Sequence, residues 1–284
     1  SRAIYDLADL SQRIESYEYD ANGNRLRRHV TVDSETVEDT RYRYNGLNQI
    51  VQAGNEVIYH NARGNIVKRI TPGAVLRETT YEWNSANRLL GVTKKEDNQE
   101  VVSISYRYNA LGQRIGRSVS RPGHPLETKS YVNSSGELYQ PLKIEDGGGT
   151  TVVYPGGSAY QRGGKVRYEL GGTGGVTRVM GGNGQLVASY RYDAFGRILE
   201  SEGEAVGERT KRYRGEDWDE EVGLLYLRNR YYDPDLGRFL SIDPHPGFAT
   251  QPQTLNPYVY CHNDPVNFVD PTGLCLEKMG WDRF

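Results

Sequence analysis

A short motif recurs along the chain and constrains the fold more than any other feature. It reads aromatic, any residue, aromatic, Asp or Asn, two variable residues, usually Gly or Asn, a polar residue and an aliphatic, as in "YEYDANGNRL" at Tyr17. Further copies begin at Tyr42, Tyr81, Tyr106 and Tyr190, with a degenerate copy at Ile58. A repeat with a period of roughly twenty-odd residues predicts one structural unit stacked many times.

Each copy predicts a strand–turn–strand hairpin. The two aromatic residues lie on one face of a strand, because strand side chains alternate. The Asp or Asn closes a turn by bonding nearby backbone, and Gly supplies positive φ. Since a lone hairpin is marginally stable, the copies must pair edge to edge. The tyrosines are therefore predicted to form a stacked ladder, with a carbohydrate-binding aromatic strip as the alternative.

The composition favours a thin, extended sheet and argues against several functions. Only 36% of the 284 residues are apolar, yet 22 Tyr and 3 Trp are too many for a disordered chain. The net charge of −2 arises from 35 basic and 37 acidic residues, so no nucleic-acid partner is predicted. No apolar run approaches the ~18 residues of a membrane segment. The N-terminus lacks the features of a signal peptide, and we expect a fragment of a longer chain.

The glycine-rich middle, residues 147–184, predicts short strands and turns rather than a phosphate site. Ala159 and Val166 stand where a phosphate-binding loop needs Gly and Ser or Thr. The predicted strands are 151–154, 165–170, 176–180 and 186–192. The five histidines and the two cysteines show no ligand spacing, so neither a metal nor a cofactor is predicted. The cysteines, Cys261 and Cys275, allow one bridge that the fold would not need.

The repeats resemble the YD/RHS repeats of bacterial RHS and toxin-complex C proteins and of the related teneurins. The resemblance covers roughly residues 15–274. It implies an all-β fold in which stacked hairpins form a sheet that spirals into part of a hollow shell, closed by a C-terminal module. The implied organisation is YD repeats at 1–118, a glycine-rich β segment continuing the shell at 119–205, an RHS-associated core at 206–274 and the stub of a toxin region at 275–284.

The C-terminal sequence carries the most specific part of this resemblance. "YRGEDWDEEVGLLYLRNRYYDPDLGRFLSIDPHPGF" and "NPYVYCHNDPVNFVDPTGL" are similar to the RHS-associated core. In that family a P-x4-D-P-x-G-L motif ends at an autoproteolytic cut. Here the motif consists of Pro265, Asp270, Pro271, Gly273 and Leu274. The resemblance thus implies cleavage between Leu274 and Cys275, with Asp270 paired to Asp243 and assisted by Arg230; Arg238 is a second possibility for the arginine.

The chemistry of such a cut explains these residue types. Peptide hydrolysis needs an activated nucleophile and a proton donor for the leaving amine. Two carboxyl groups that share one proton supply both, one as base for a water and the other as acid. An arginine can hold one carboxylate ionised or bind the developing oxyanion. The prolines at 244, 265 and 271 keep the preceding residues extended, and Gly273 lets the backbone turn just before the scissile bond.

Alternatives remain at this stage. The segment after Asp243 is one residue longer than the family's pattern, so Asp264 is a second candidate partner for Asp270. A thiol route would use Cys275, directly after the cut, or Cys261, with His245 or His262 nearby in sequence. A non-cleaving structural or adhesion module would need none of these groups.

The resemblance also implies partners and location. We expect the chain to enclose its own C-terminal toxin domain. We expect the rest of the shell to come from further N-terminal RHS repeats or from a toxin-complex B-type partner. Proteins of this kind are secreted or exported by a bacterial secretion system.

Overall fold

The computed structural model describes residues 2–6, 11–136, 138–172, 174–209, 211–248, 250–274 and 276–278. Within them, nineteen strands form one antiparallel sheet in which each strand pairs with the next along the chain. They are β1 Arg2–Asp6, β2 Gln12–Tyr19, β3 Arg25–Val32, β4 Glu35–Tyr44, β5 Ile50–Ala53, β6 Glu56–His60, β7 Ile66–Thr71, β8 Arg77–Trp83, β9 Leu89–Glu96, β10 Gln99–Tyr108, β11 Arg114–Ser120, β12 Glu127–Asn133, β13 Pro141–Asp146, β14 Gly149–Val153, β15 Ala159–Arg162, β16 Lys165–Gly172, β17 Gly175–Gly181, β18 Leu186–Tyr192 and β19 Ile198–Glu202.

The repeat turns form as their sequence predicts. In the first, the Asp20 carboxylate accepts hydrogen bonds from the backbone N–H groups of Asn22 (2.9 Å) and Asn24 (2.8 Å), while Gly23 has a φ of 75°. The other five copies repeat these two bonds from Asn45, Asn61, Asn84, Asn109 and Asp193. The turn chemistry therefore fixes where each hairpin reverses.

The two aromatic positions of each copy have different roles. The first is buried in every full copy, as at Tyr42 and Tyr81, each 5% exposed. In four of the five full copies the second donates to a carbonyl of an earlier strand, as Tyr108 does to Leu89 (2.8 Å) and Tyr192 to Val176 (2.7 Å). Because these side chains are used in packing and inter-strand hydrogen bonds, they form a ladder and not an exposed carbohydrate-binding strip.

The sheet continues without interruption through the glycine-rich segment. The four predicted strands there correspond to β14, β16, β17 and β18 within about two residues, as expected for element boundaries. Strand β15, Ala159–Arg162, was not predicted. The sheet does not close on itself: among the described residues, β1 pairs only with β2, and β19 only with β18.

The sheet curves so that its last YD turn lies beside its first strands. Phe195 packs edge-to-face on Tyr17 with ring centroids 5.1 Å apart. Asp193 forms an ion pair with Arg28 at 3.2 Å, and Arg28 also binds Glu15 at 3.0 Å. These contacts join residues that are far apart in sequence and hold the turn after β18 against strands β2 and β3.

A C-terminal module packs against the buried face of this sheet. It contains a four-stranded sheet, two 3₁₀ helices and a two-stranded ribbon: β20 Asp217–Asp219, β21 Leu224–Leu227, β22 Arg230–Asp233, β23 Arg238–Phe239, the helices Pro252–Leu255 and Cys261–Asn263, and β24 Phe268–Val269 paired with β25 Glu277–Lys278. Its Leu224, Tyr231 and Leu240 share one apolar cluster with Tyr81 and Ile104 of the large sheet. The described residues contain no helix that is long and apolar enough to span a bilayer.

Candidate active site

The site is built around Arg230, the first residue of β22. Its side chain is only 4% exposed, and its guanidinium carbon lies 3.6 Å from the ring centroid of Phe239 in β23. Strands β21 and β22 are joined by a tight turn in which Arg228 has a φ of 58°. The hairpin geometry and the stacked ring of Phe239 therefore orient the guanidinium group independently of its ion pairs.

Arg230 contacts both aspartates of the predicted pair. One terminal nitrogen lies 2.7 Å from a carboxylate oxygen of Asp243 and 3.4 Å from one of Asp270. The Asp243 side chain is 17% exposed and that of Asp270 is 6% exposed. Two carboxylates that meet at one nitrogen are held close together despite their separation in sequence. Burial lowers the pKa of the Arg230 guanidinium, and the two aspartates oppose that effect.

The same guanidinium reaches the backbone of the motif and of a neighbouring loop. Its Nε donates to the carbonyl oxygen of Gly273, and a terminal nitrogen donates to that of Pro257 at 3.1 Å. The Pro257 oxygen also accepts the backbone N–H of Asp243 at 2.9 Å. One side chain thus connects both acids to the backbone one residue before the predicted scissile bond.

Three consecutive carbonyls before that bond are held by three consecutive residues of the β21–β22 hairpin. Arg228 donates to Pro271, Asn229 donates to Thr272 through its side chain (3.0 Å) and backbone (3.3 Å), and Arg230 donates to Gly273. This parallel set of bonds, which we call the carbonyl clamp, fixes the chain that leads to Leu274.

The remaining contacts orient Leu274 itself. Its backbone N–H donates to Asp270 at 3.0 Å and approaches the Thr272 hydroxyl at 3.2 Å. Gly273 has a φ of 72°, and a Cβ there would collide with the carbonyl oxygen of Leu227. Only glycine therefore fits this position without displacing the hairpin.

A cavity of about 270 Å³ adjoins the two acids. Its lining includes Asp243, Asp270 and Leu274 together with the apolar side chains of Phe248 and Leu276. A space of this size, with carboxylates on its wall, is large enough for several water molecules. Water can consequently reach both acids and the residue that precedes the predicted cut.

The alternative candidates lie elsewhere. The Asp264 carboxylate binds the side chain of Asn267 at 2.9 Å. Arg238 contacts Asn24 and Asn256, at 3.2 and 3.3 Å. Neither is at Arg230.

Of the two candidate cysteines, the described residues include Cys261 and leave out Cys275. Cys261 is buried at the cavity wall, and burial raises the pKa of its thiol, which disfavours the reactive thiolate. Cys275 lies outside the described residues, and so does any bridge between Cys261 and Cys275. His245 and His262 also line the cavity, and burial lowers the pKa of the His262 imidazole.

Sequence reasoning missed Arg228, Asn229 and Pro257. Asn229 and Arg228 act on backbone carbonyls, and Pro257 contributes its own carbonyl, so no residue type reveals the contact in advance. The only available signal was the position of "RN" directly before Arg230, in a turn between two apolar strands.

Comparison with known proteins identifies the architecture. The teneurin YD-shell family matches residues 3–123 and 171–266. The chain belongs to this YD-shell family. Its relatives include RHS/YD-repeat toxins: it is 31% identical to the tRNA nuclease WapA of Bacillus subtilis strain 168 over 264 residues, and 28% identical to the toxin protein Tse5 of Pseudomonas aeruginosa over 325 residues.

These matches cover most of this chain and a small part of each relative. The YD-shell chain is covered to 90% by the WapA match and to 92% by the Tse5 match, but it spans only 11% and 24% of those proteins. The match to the crystal structure of TcdB2–TccC3 covers 94% of this chain and 18% of that chain. Its TM-score is 0.54 at 19% identity, which supports the fold. The chain is a YD-shell segment.

Proposed function

We propose that this YD-shell segment cuts its own backbone between Leu274 and Cys275 and thereby frees a C-terminal effector. The observation that carries the proposal is the position of Arg230, which contacts Asp243, Asp270 and the Gly273 carbonyl at once. Acids brought together by folding, beside a peptide held in place, are what single-turnover hydrolysis requires.

The charge of the cluster suits acid–base chemistry. Two carboxylates meet one guanidinium in a site that is mostly shielded from water. The two-acid mechanism takes one proton to be shared between Asp243 and Asp270. One aspartate is then a base and the other an acid, which are the two roles that hydrolysis of an amide needs.

The reaction follows from these roles. One aspartate removes a proton from a water in the cavity, and the water oxygen bonds to the carbonyl carbon of Leu274. The other aspartate gives its proton to the nitrogen of Cys275 as the C–N bond breaks. The products are a carboxylate at Leu274 and a free amine at Cys275, so water is the only reactant besides the chain. Arg230 keeps its charge throughout and stabilises negative charge that develops beside it.

The carbonyl clamp contributes positioning. Bonds from Arg228, Asn229 and Arg230 to three successive carbonyls prevent the chain from sliding along the site. Because the peptide is held beside the acids, the catalytic groups act on it within one molecule and at a high effective concentration.

The effector and the rest of the shell are inferred from the family. The chain spans 11% of WapA and 24% of Tse5, and its large sheet does not close on itself within the described residues. We propose that N-terminal RHS repeats or a toxin-complex B-type partner supply the rest of a shell, that a toxin domain follows Phe284, and that the assembly is exported from a bacterium.

Substitution of each acid tests the proposal. The full chain, carrying a folded reporter domain after Phe284, is made in a cell-free system and followed on denaturing gels. Wild type should release a reporter fragment that begins at Cys275, and Asp243→Asn should release none. The matched control Asp264→Asn, which alters an acid bound to Asn267, should cut normally.

The thiol route gives the opposite pattern. If Cys275→Ala abolishes release while Asp243→Asn and Asp270→Asn both cut, the acids are not the catalytic groups. If the wild-type chain folds and never cuts, the segment is a structural or adhesion module only.

A further inference from the structure

The turn of the first full repeat, residues 20–24, touches the loop that supports the acids. The side-chain nitrogen of Asn256 donates to the carbonyl of Asn22 (2.9 Å) and to the side-chain oxygen of Asn24 (2.8 Å). The side-chain nitrogen of Asn263 donates to the carbonyl of Gly23 at 2.8 Å. Asn24 and Asn256 are 2% and 6% exposed, so the bond between their side chains is sheltered from competing water.

Asn256 is directly followed by a residue of the site. The Pro257 carbonyl accepts hydrogen bonds from Arg230 (3.1 Å) and from the backbone of Asp243 (2.9 Å). A shift of Asn256 therefore moves the carbonyl that Arg230 and Asp243 share. The first-repeat turn is connected to both groups through one peptide unit.

The second contact fixes a backbone that is otherwise unfavourable. Cys261, His262 and Asn263 have φ values of 49°, 51° and 60°, so three successive residues other than glycine adopt the left-handed conformation. This conformation is uncommon for such residues and needs support from its surroundings. The bond from Asn263 to the Gly23 carbonyl provides such support. The same stretch leads, seven residues later, to Asp270.

These bonds join partners separated by 232, 234 and 240 residues in the sequence. They require the first full repeat and the C-terminal module to lie side by side in the folded chain. A cut made before this docking would release the C-terminal region from a shell that has not formed.

Resting on the proposed function, we infer that Asn256 and Asn263 are positioning residues that make self-cleavage depend on docking of the first-repeat turn. The partner of the site is thus a distant segment of the same chain. The turn takes no part in the chemistry; it holds the Pro257 carbonyl and the left-handed stretch in the arrangement that the acids need.

Two single substitutions in the full chain test this inference. Asn256→Ala removes both bonds to the turn. Asn263→Gly removes the bond to Gly23 while favouring the left-handed backbone. Each should lower the first-order rate of cutting by about ten- to a hundredfold, the scale expected when a reacting group is misplaced slightly. Thermal unfolding of the cut-deficient Asp270→Asn background, with and without each change, verifies that the variants fold.

Asn87→Gly is the matched control. Asn87 also lies in a repeat turn and has a φ of 56°, but it accepts its side-chain bond from Asn65, at 2.9 Å, and not from Asn256 or Asn263. It should cut at the wild-type rate. Equal slowing of Asn87→Gly and Asn263→Gly would indicate a general effect on the sheet and overturn the inference.

A double-mutant cycle separates positioning from general destabilisation. If Asn24 and Asn256 act through their mutual bond, the double variant Asn24→Ala with Asn256→Ala should cut no more slowly than the slower single variant. Rates that fall multiplicatively would overturn the inference.

The two levels of the argument fail differently. A folded wild type that never cuts overturns the proposed function and this inference together. A wild type that cuts, beside folded Asn256→Ala and Asn263→Gly variants that cut equally fast, overturns only the dependence on docking.

Discussion

Replacing Arg230 by lysine tests the geometry of the site without removing its charge. Arg230 makes four directed contacts, to Asp243, Asp270, Gly273 and Pro257, from a side chain that is 4% exposed. A lysine ammonium is a compact group on a flexible stem and cannot reproduce the planar fork. Loss of one positioned donor near a reacting carbonyl typically costs about 10²–10³ in rate. We therefore expect Arg230→Lys to cut at least about a hundredfold more slowly.

The free energy of unfolding should fall as well and is measured separately from the rate. Unmaking hydrogen bonds to a charged donor costs about 1–3 kcal/mol, which urea unfolding of the uncut Asp270→Asn background can measure. Arg69→Lys is the control, because Arg69 also bridges two acids, Glu56 and Asp233, each at 2.6 Å, and Asp233 lies at the opposite end of β22 from Arg230. It should lose comparable stability and cut normally. Wild-type cutting by Arg230→Lys, or equal slowing by Arg69→Lys, would refute the reasoning.

Three further changes have defined outcomes. Gly273→Ala should slow cutting by about tenfold or more, because its Cβ would collide with the Leu227 carbonyl; time courses on gels would show it, and unchanged kinetics would argue against the tight turn. Burial lowers the pKa of His60 to about 4, so the free energy of unfolding falls as pH falls from about 6.5 towards 4. His60→Phe should reduce this loss of stability by on the order of 1–2 kcal/mol, which urea unfolding at pH 4.5 and at pH 7 measures. Burial and Glu15 raise the pKa of Asp193 to about 6, which destabilises the fold as pH rises from about 4 through 6; Asp193→Asn should remove that opposite trend in the same assay.

Much of the fold is local in origin and could be predicted from the sequence. Each repeat turn depends on one Asp or Asn that binds the backbone two and four residues later, so Asp20 and Asn109 reveal hairpins on their own. Strands β12, Glu127–Asn133, and β13, Pro141–Asp146, lack this signature and were not located individually.

The candidate site likewise has a part that the sequence predicts and a part that it does not. Asp243, Asp270 and Arg230 were predicted because they stand in recognisable local motifs. In the structure both aspartates contact one nitrogen of Arg230. The supporting contacts of Asn229 and Asn256 depend on carbonyl groups, which every residue possesses, and on partners up to hundreds of residues away. No sequence pattern specifies such a contact. It follows from the path of the whole sheet.

The most direct test is the intact mass of the freshly folded chain with and without the Asp270 carboxylate. The account predicts that wild type loses residues 275–284 as a single piece, and that Asp270→Asn keeps its full mass under the same conditions. Persistence of the full mass in folded wild type, or loss of the same piece from Asp270→Asn, would contradict it.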